Sequence, residues 1–334
     1  MSIGSNDVVL VTGATGFTGK HLVRALCDTG AAVRVIVRDS SDSSEIDDLP
    51  LNTFRGDVFD EAVINEAMEG VNYVFHVAAA YREAKISDDI YWNVHVKSTY
   101  NLAAAAVRQP GFSRFVHVST LGVHGHIDTP PATEEYQFSP GDKYQETKVE
   151  AELWIREFSR THDMPLSVVR PAAIYGPGDR RLLKVFKMAR MRFVPLLGLR
   201  QKHLYHLIHV TDLVRFMLVA ASHERTLGEV YAVGAKDYIS IPDMIRIIAR
   251  KLGTSPRFLR LPVTPFFIAG DICEFICKPL NIEPPIYRRR VAFYTKDRAF
   301  DTSKLRDHTG FEYRYTNETG LSDLVDWYRQ AGWL

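Results

Sequence analysis

The chain has 334 residues, 46% hydrophobic and 24% charged, with a formal net charge of +1. That length calls for one large or two modest domains, with ample apolar content for a core. Near-neutrality removes the general electrostatic case for nucleic acid or an anionic membrane surface as partner.

The N-terminus, MSIGSNDVV, has no basic region followed by an apolar stretch, and no segment approaches the length of a membrane span. A cytoplasmic protein without a membrane span is expected. Cys27, Cys273 and Cys277 are odd in number and lack metal spacing, which fits a reducing compartment. Val8–Gly19 reads VVLVTGATGFTG, a β-branched run closed by Gly13, Gly16 and Gly19 at even spacing. A helical pattern, Phe17–Thr29, overlaps it and stops at Gly30. A buried strand, a tight turn and a helix start aim backbone N–H groups and the positive helix end at one point, which suits a pyrophosphate. Gly13 permits the turn, Gly16 lets phosphates approach, and Gly19 lets helix and strand pack closely.

Further strands are predicted at Ala32–Val37, Asn52–Arg55, Asn72–Val77, Arg114–Ser119 and Leu166–Arg170. Helices are predicted over Asp60–Met68, about Asp89–Arg108, and Tyr144–Thr161. This alternation predicts an α/β fold, a Rossmann-type doubly wound parallel sheet whose ligands bind beyond the carboxyl ends of the strands.

Beyond Pro171 the regularity breaks. Arg180–Arg192 reads as a basic helix, Leu204–Val210 as a strand, and Thr211–Ser222 as a helix capped at Thr211 or Asp212. Glu229–Val233 reads as a last sheet strand, followed by helices at Ile241–Leu252, Ser303–Thr309 and Leu321–Trp333. Residues 1–178, with about 207–235, are expected to form the dinucleotide-binding domain. About 179–206 and 236–334 are expected to form a smaller C-terminal substrate lobe. Pro265–Phe275 (PFFIAGDICEF) either lines an apolar pocket or packs as a core helix, and Cys273 and Cys277 within and beside it read as packing. His203, His206 and His209 recur every third residue, which scatters them over both faces of a strand. No carboxylate or cysteine completes a ligand set, so no metal site is expected.

Tyr144 and Lys148, four residues apart at a helix start, share one face. A free phenol, with a pKa of about 10, is a poor base at neutral pH. A neighbouring ammonium and an oxidised nicotinamide favour the phenolate, which makes Tyr144 a candidate general acid/base. Ser119 and Thr120 end the fifth strand, where a hydroxyl can hold a substrate oxygen beside that tyrosine.

TGATGFTG, GD at 56–57, HVAAA at 76–80, HVST at 117–120, YQETK at 144–148 and RPAAIYGPGD at 170–179 occur in one order. Together they resemble the extended short-chain dehydrogenase/reductase family, in its epimerase/dehydratase and 3β-hydroxysteroid dehydrogenase-like branch. The resemblance spans nearly the whole chain and reaches LIHVTDLV at 207–214. It implies that Thr120, counted back from Gly125, is the catalytic hydroxyl, with Ser119 the alternative register. It implies Tyr144 as proton donor and acceptor, and Lys148 as the group that holds the cofactor ribose. Gly13, Thr15, Gly16, Phe17 and Gly19 would meet the dinucleotide; Asp57 and Val58 the adenine; Ala78 and Ala79 the cofactor backbone; Pro171 and Ile174 the nicotinamide. Asn93 matches a family asparagine that supports the site, with helix packing as its other reading.

A carboxylate at the end of the second strand suits NAD, and an arginine suits NADP. Arg38 takes that place, which favours NADP(H); Asp39 stands one residue further on and would restore NAD(H) under a shifted register. Leu121-Gly122-Val123 follows Thr120 where dehydratases carry an acid, so dehydration is disfavoured. Tyr205-His206 stands where sugar-nucleotide members often place an arginine, with Arg180, Arg181, Arg200 and Lys202 as possible substitutes. The expected function is a net oxidoreductase acting on a partly apolar, sterol-like or terpenoid secondary alcohol or ketone. A sugar-nucleotide epimerase is the alternative, and a non-catalytic dinucleotide-binding protein the third reading. The family also implies a homodimer through the helices about 89–108 and 144–161.

Overall fold

The computed structural model describes residues 2–80, 87–198, 203–277, 291 and 295–334. Six strands, β1 (Val8–Thr12), β2 (Ala32–Val37), β3 (Leu51–Arg55), β4 (Tyr73–His76), β5 (Arg114–Val118) and β6 (Leu166–Pro171), join a later strand, Val230–Val233, in one sheet. From one edge the order is Val230–Val233, β6, β5, β4, β1, β2, β3, and every neighbouring pair is parallel. The order reverses between β1 and β4, so the switch point lies where the glycine turn leaves β1. Thr12 stands beside His76, and His76 beside His117. All residues of β4, β5 and β6 are buried, as expected for central strands covered on both faces.

Helices α1 (Phe17–Cys27) and α7 (Val210–Ser222) cover one face, where Leu22, Leu26, Leu213 and Phe216 pack on Val9, Val11 and Val35. Helices α2 (Glu61–Met68), α4 (Ser98–Ala106) and α5 (Lys143–Thr161) cover the other, through Ile64, Met68, Leu102 and Ile155 against Leu10, Phe115 and Val168. Ahead of α4, α3 (Asp88–Trp92) continues into a π-helical turn, Asn93–Lys97, within the long helix that the sequence predicts. A third cluster joins α6 (Leu183–Ala189), α8 (Ile241–Leu252) and the C-terminal helix Asn317–Gln330 through Phe186, Ile245, Leu324 and Tyr328. Leu305 and Phe311 pack back into the first cluster, on the sheet side.

The second half departs from the expected elements in three places. Leu204–Val210 is not one strand: Leu204–Tyr205 pairs antiparallel with Ile239–Ser240, and Leu207–His209 pairs parallel with Ala173–Tyr175. Val210 opens α7, and the cap is His209, whose ring accepts from the Thr211 N–H at 3.2 Å. Asp212 cannot cap because it holds the N–H groups of Arg314 and Tyr315. The helix expected from Arg180 starts only at Leu183, because the Asp179 carboxylate ties the N–H groups of Arg181 and Leu182 into a turn. The apolar segment forms α9 (Thr264–Cys277), but only Gly270 is buried there. Ile268, Ile272, Phe275 and Ile276 are exposed, Phe275 by 83%, so the helix is not a core element. Cys273 and Cys277, one turn apart on α9, are half-buried.

Candidate active site

The glycine turn forms as the sequence demands. Gly13 has φ +75°, and a Cβ there would come within 2.8 Å of the Ala78 backbone. A Cβ on Gly19 would stand 2.0 Å from the Gly13 carbonyl, so α1 can lie against β1 only without a side chain. Gly16 is the exposed N-cap residue, and no side chain caps α1. A helix start without a side-chain cap, on a turn where Gly13 and Gly19 leave no room for a Cβ, fits a dinucleotide pyrophosphate. Thr15 and Phe17 are half-buried beside it. Arg38 follows the last residue of β2 and is exposed; Asp57, beyond β3, is exposed, and Val58 is buried. Ala78 is buried and Ala79 exposed just past β4, while Pro171 ends β6 and Ile174 is half-buried beyond it. The sheet thus brings these residues to the carboxyl ends of neighbouring parallel strands.

The second half of the site is built on α5. The Asp142 carboxylate caps it by accepting from the Gln145 N–H at 2.9 Å. Tyr144 is half-buried, its ring edge-on to His95 (centroids 5.0 Å) and to Tyr91 (6.3 Å). Lys148, one turn later, is 2% exposed, and its ammonium donates to the Val118 carbonyl at 3.0 Å. Burial lowers its pKa to about 8, opposed by the charge of Glu152. The lysine therefore reaches the end of β5, one residue before Ser119. Ser119 is buried, and its hydroxyl has no hydrogen-bond partner among the described residues. The Thr120 hydroxyl accepts from the Gly122 N–H at 3.1 Å and caps the short turn Leu121–His124. Leu121 and Val123 of that turn are buried in the core.

Beneath this surface lie groups that reading the sequence did not single out. Ser98 Oγ donates to the Val94 carbonyl, so it accepts from His76 Nε2–H at 3.1 Å. His76 Nδ1 then accepts from Thr12 Oγ1 at 2.8 Å, and Thr12 accepts from the Ala78 N–H. This donor sequence fixes a neutral His76, whose pKa burial and the Lys148 charge lower to about 3. His117, beside it, is lowered in the same direction by burial, then by Lys148, and neither ring nitrogen has a partner among the described residues. Glu152, one turn beyond Lys148, forms a buried ion pair with Arg170 of β6, and Arg170 also donates to the Glu134 carbonyl at 2.7 Å. Asn93 is half-buried on the π-helical turn, and His95, two residues on, packs against Tyr144. The only sequence signal for the strand histidines was the repeated His-Val before the turns at 76–77 and 117–118.

The remaining expected groups have local roles. His203 pairs with Asp297 at 3.2 Å, and His206 bonds the Ala235 carbonyl at 2.6 Å. Arg180 stacks on Trp333, and Arg181 donates to Asp179 and to the Ile174 carbonyl. Arg200 and Lys202 lie outside the described residues.

A doubly wound parallel sheet with a glycine turn at its switch point and a Tyr–Lys helix beside it defines a dinucleotide-dependent enzyme class. Residues 9–234 match the family model described as "NAD dependent epimerase/dehydratase family", and the chain belongs to that family. That family is NAD-dependent and of the short-chain dehydrogenase/reductase type, which makes the chain an enzyme within its oxidoreductase, epimerase and dehydratase range. The chain is 30% identical to a ceramide reductase of Caulobacter vibrioides, over 100% of this chain and 98% of the relative. It is 30% identical to sterol demethylase protein B of Methylococcus capsulatus, over 97% and 99%. The crystal structure of gox2253 superposes with a TM-score of 0.80 at 27% identity, over 98% of this chain and 100% of that one.

Proposed function

We propose that the protein is a net oxidoreductase that interconverts a secondary alcohol and a ketone on a partly apolar, sterol-like or other lipid-like substrate. The observation that carries the hydride-transfer chemistry, common to this reading and the epimerase, is the buried Lys148 ammonium at the end of β5, one helical turn from Tyr144. When bound, the nicotinamide dinucleotide supplies the hydride in reduction and accepts it in oxidation. Tyr144 gives its phenolic proton to the substrate oxygen in reduction and takes it back in oxidation, with Lys148 favouring the phenolate. Thr120 holds that oxygen, with Ser119 as the other candidate hydroxyl. The apolar substrate class is supported by two relatives named for a ceramide and a sterol, both largely hydrocarbon molecules. Dehydration is disfavoured because the residues after Thr120 are Leu121, Gly122 and Val123, the first and last buried. Exposed Arg38 at the end of β2 supports NADP(H) over NAD(H). The sugar-nucleotide epimerase is the second reading, favoured by the family model itself.

We assign the small-molecule substrate to the lobe of about 179–206 and 236–334, against the dinucleotide domain of 1–178 with about 207–235. We also assign a homodimer through α3, α4 and α5: Ile90 and Trp92 of α3 and Leu153 of α5 are exposed apolar side chains, Leu153 by 49%. Sedimentation of a monomer at micromolar concentration would refute that assembly.

The functional test is direct. The freshly purified protein is denatured and any released nucleotide identified; NADPH and NADH binding and turnover of a panel of apolar ketones are then compared. An empty protein that prefers NADPH and reduces a panel ketone supports the oxidoreductase. Near-equimolar tightly held NAD with no net turnover supports the epimerase instead.

A further inference from the structure

We propose that His95 is the positioning residue for Tyr144, a role that rests on the reading of Tyr144 as the acid/base. His95 is 1% exposed and sits on the π-helical turn between α3 and α4. A π turn inserts a residue into a helix and re-aims its side chains, a feature concentrated at functional sites.

The hydrogen bonds around the ring have one consistent direction. Thr147 Oγ1 donates to the carbonyls of Lys143 and Tyr144, at 3.0 and 3.2 Å. It therefore accepts from His95 Nδ1–H at 2.8 Å. The other nitrogen, Nε2, accepts from the Ala80 N–H at 3.0 Å. His95 is thus a neutral ring with a fixed tautomer, clamped between two elements that must keep register. On one side is the chain just beyond β4, next to Ala78 and Ala79. On the other is the first turn of α5, held through the threonine that bonds the Tyr144 carbonyl. The ring plane stands at 90° to the Tyr144 ring, with centroids 5.0 Å apart. One side chain thereby fixes both the backbone and the ring of Tyr144 relative to the carboxyl end of β4. An alanine would remove the nearer of the two rings that pack on Tyr144, leaving Tyr91, and would leave the Ala80 N–H without its acceptor.

The test uses the full chain with saturating NADPH and the panel ketone of greatest turnover. His95→Ala, His95→Asn and Thr147→Val are each measured alone and in a Tyr144→Phe background. His95→Ala is expected to lower kcat roughly 10- to 100-fold, the scale of an ångström misplacement, with KM and the NADPH Kd within about threefold. His95→Asn keeps a donor toward Thr147 and is expected to retain more turnover than His95→Ala. Thr147→Val, which leaves the ring in place, is expected to show a smaller loss with the same split. In the Tyr144→Phe background His95→Ala is expected to add no further loss. A kcat within about twofold of the parent, or an equal further loss beside Tyr144→Phe, overturns the proposal. A crystal structure of His95→Ala with NADPH gives a readout that needs no turnover. Tyr144 Oη displaced by about 1 Å supports the role, and an unmoved hydroxyl overturns it. Failure of the parent reading is separate, since it shows as full activity in Tyr144→Phe alone.

Discussion

The Lys148 ammonium donates to the Val118 carbonyl across 3.0 Å, tying α5 to the end of the central strand that precedes Ser119 and Thr120. The contact has a pH signature. Burial brings the Lys148 pKa down to about 8, so between there and 10.5 the unfolded chain binds the proton that the folded chain has released. The cost of burying the charge is full below about pH 8 and fades as the pH rises toward 10.5. Stability of the wild type relative to Lys148→Met is expected to improve by roughly 2–3 kcal/mol between pH 7 and pH 10. Urea unfolding of both proteins at the two pH values checks this, and a difference that stays constant would show that the lysine is not buried as a charge.

Acid works through the histidines in the same sense. His209 is lowered to about 4, chiefly by burial, and its unprotonated nitrogen is the cap acceptor of α7. The unfolded chain protonates first, near pH 6.5, so stability is lost as the pH falls below that value. His209→Asn keeps an acceptor for the Thr211 N–H and removes the titrating ring. Its stability is expected to fall about 2 kcal/mol less than that of the wild type between pH 6.5 and pH 5. Identical pH slopes would sink the assignment.

The Glu152–Arg170 pair has its ends on α5 and β6, with side chains 0% and 1% exposed. Glu152→Gln leaves a buried guanidinium without its counter-charge and is expected to cost about 3 kcal/mol or more. Replacing both by methionine is expected to recover much of that, because no uncompensated charge remains. A double variant as unstable as the sum of the singles would contradict this.

The proposed preference for NADP(H) rests on Arg38. Arg38→Asp is expected to weaken NADPH binding tenfold or more while leaving NADH within about threefold, the outcome of exchanging a phosphate partner for a ribose partner. Fluorescence titration with each nucleotide measures it; unchanged preference would move the discrimination to another residue.

The sheet and the glycine turn were legible because their signals are local. Val8–Thr12 is a continuous apolar run, and Gly13 and Gly19 sit where any Cβ would clash. Tyr144 and Lys148 were legible through their spacing of four on one helix. What the sequence hid depends on contacts remote along the chain. Asp212 looked like a cap for α7, but it is occupied by the N–H groups of Arg314 and Tyr315, about a hundred residues away. His95 shares the π turn with Asn93 and meets Tyr144 and Thr147 of α5, a placement that no local pattern reports. The exposure of α9 was hidden too, because composition tells an apolar helix but not what lies against it.

The account stands on Tyr144 as the acid/base, and Tyr144→Phe tests it most directly. The ring and its packing against His95 stay, and only the hydroxyl goes. With a ketone that the wild type reduces, kcat is expected to fall 10²- to 10⁴-fold, on the order of a lost general acid, while the NADPH Kd stays within about threefold. A Tyr144→Phe enzyme with full kcat would contradict the proposed chemistry.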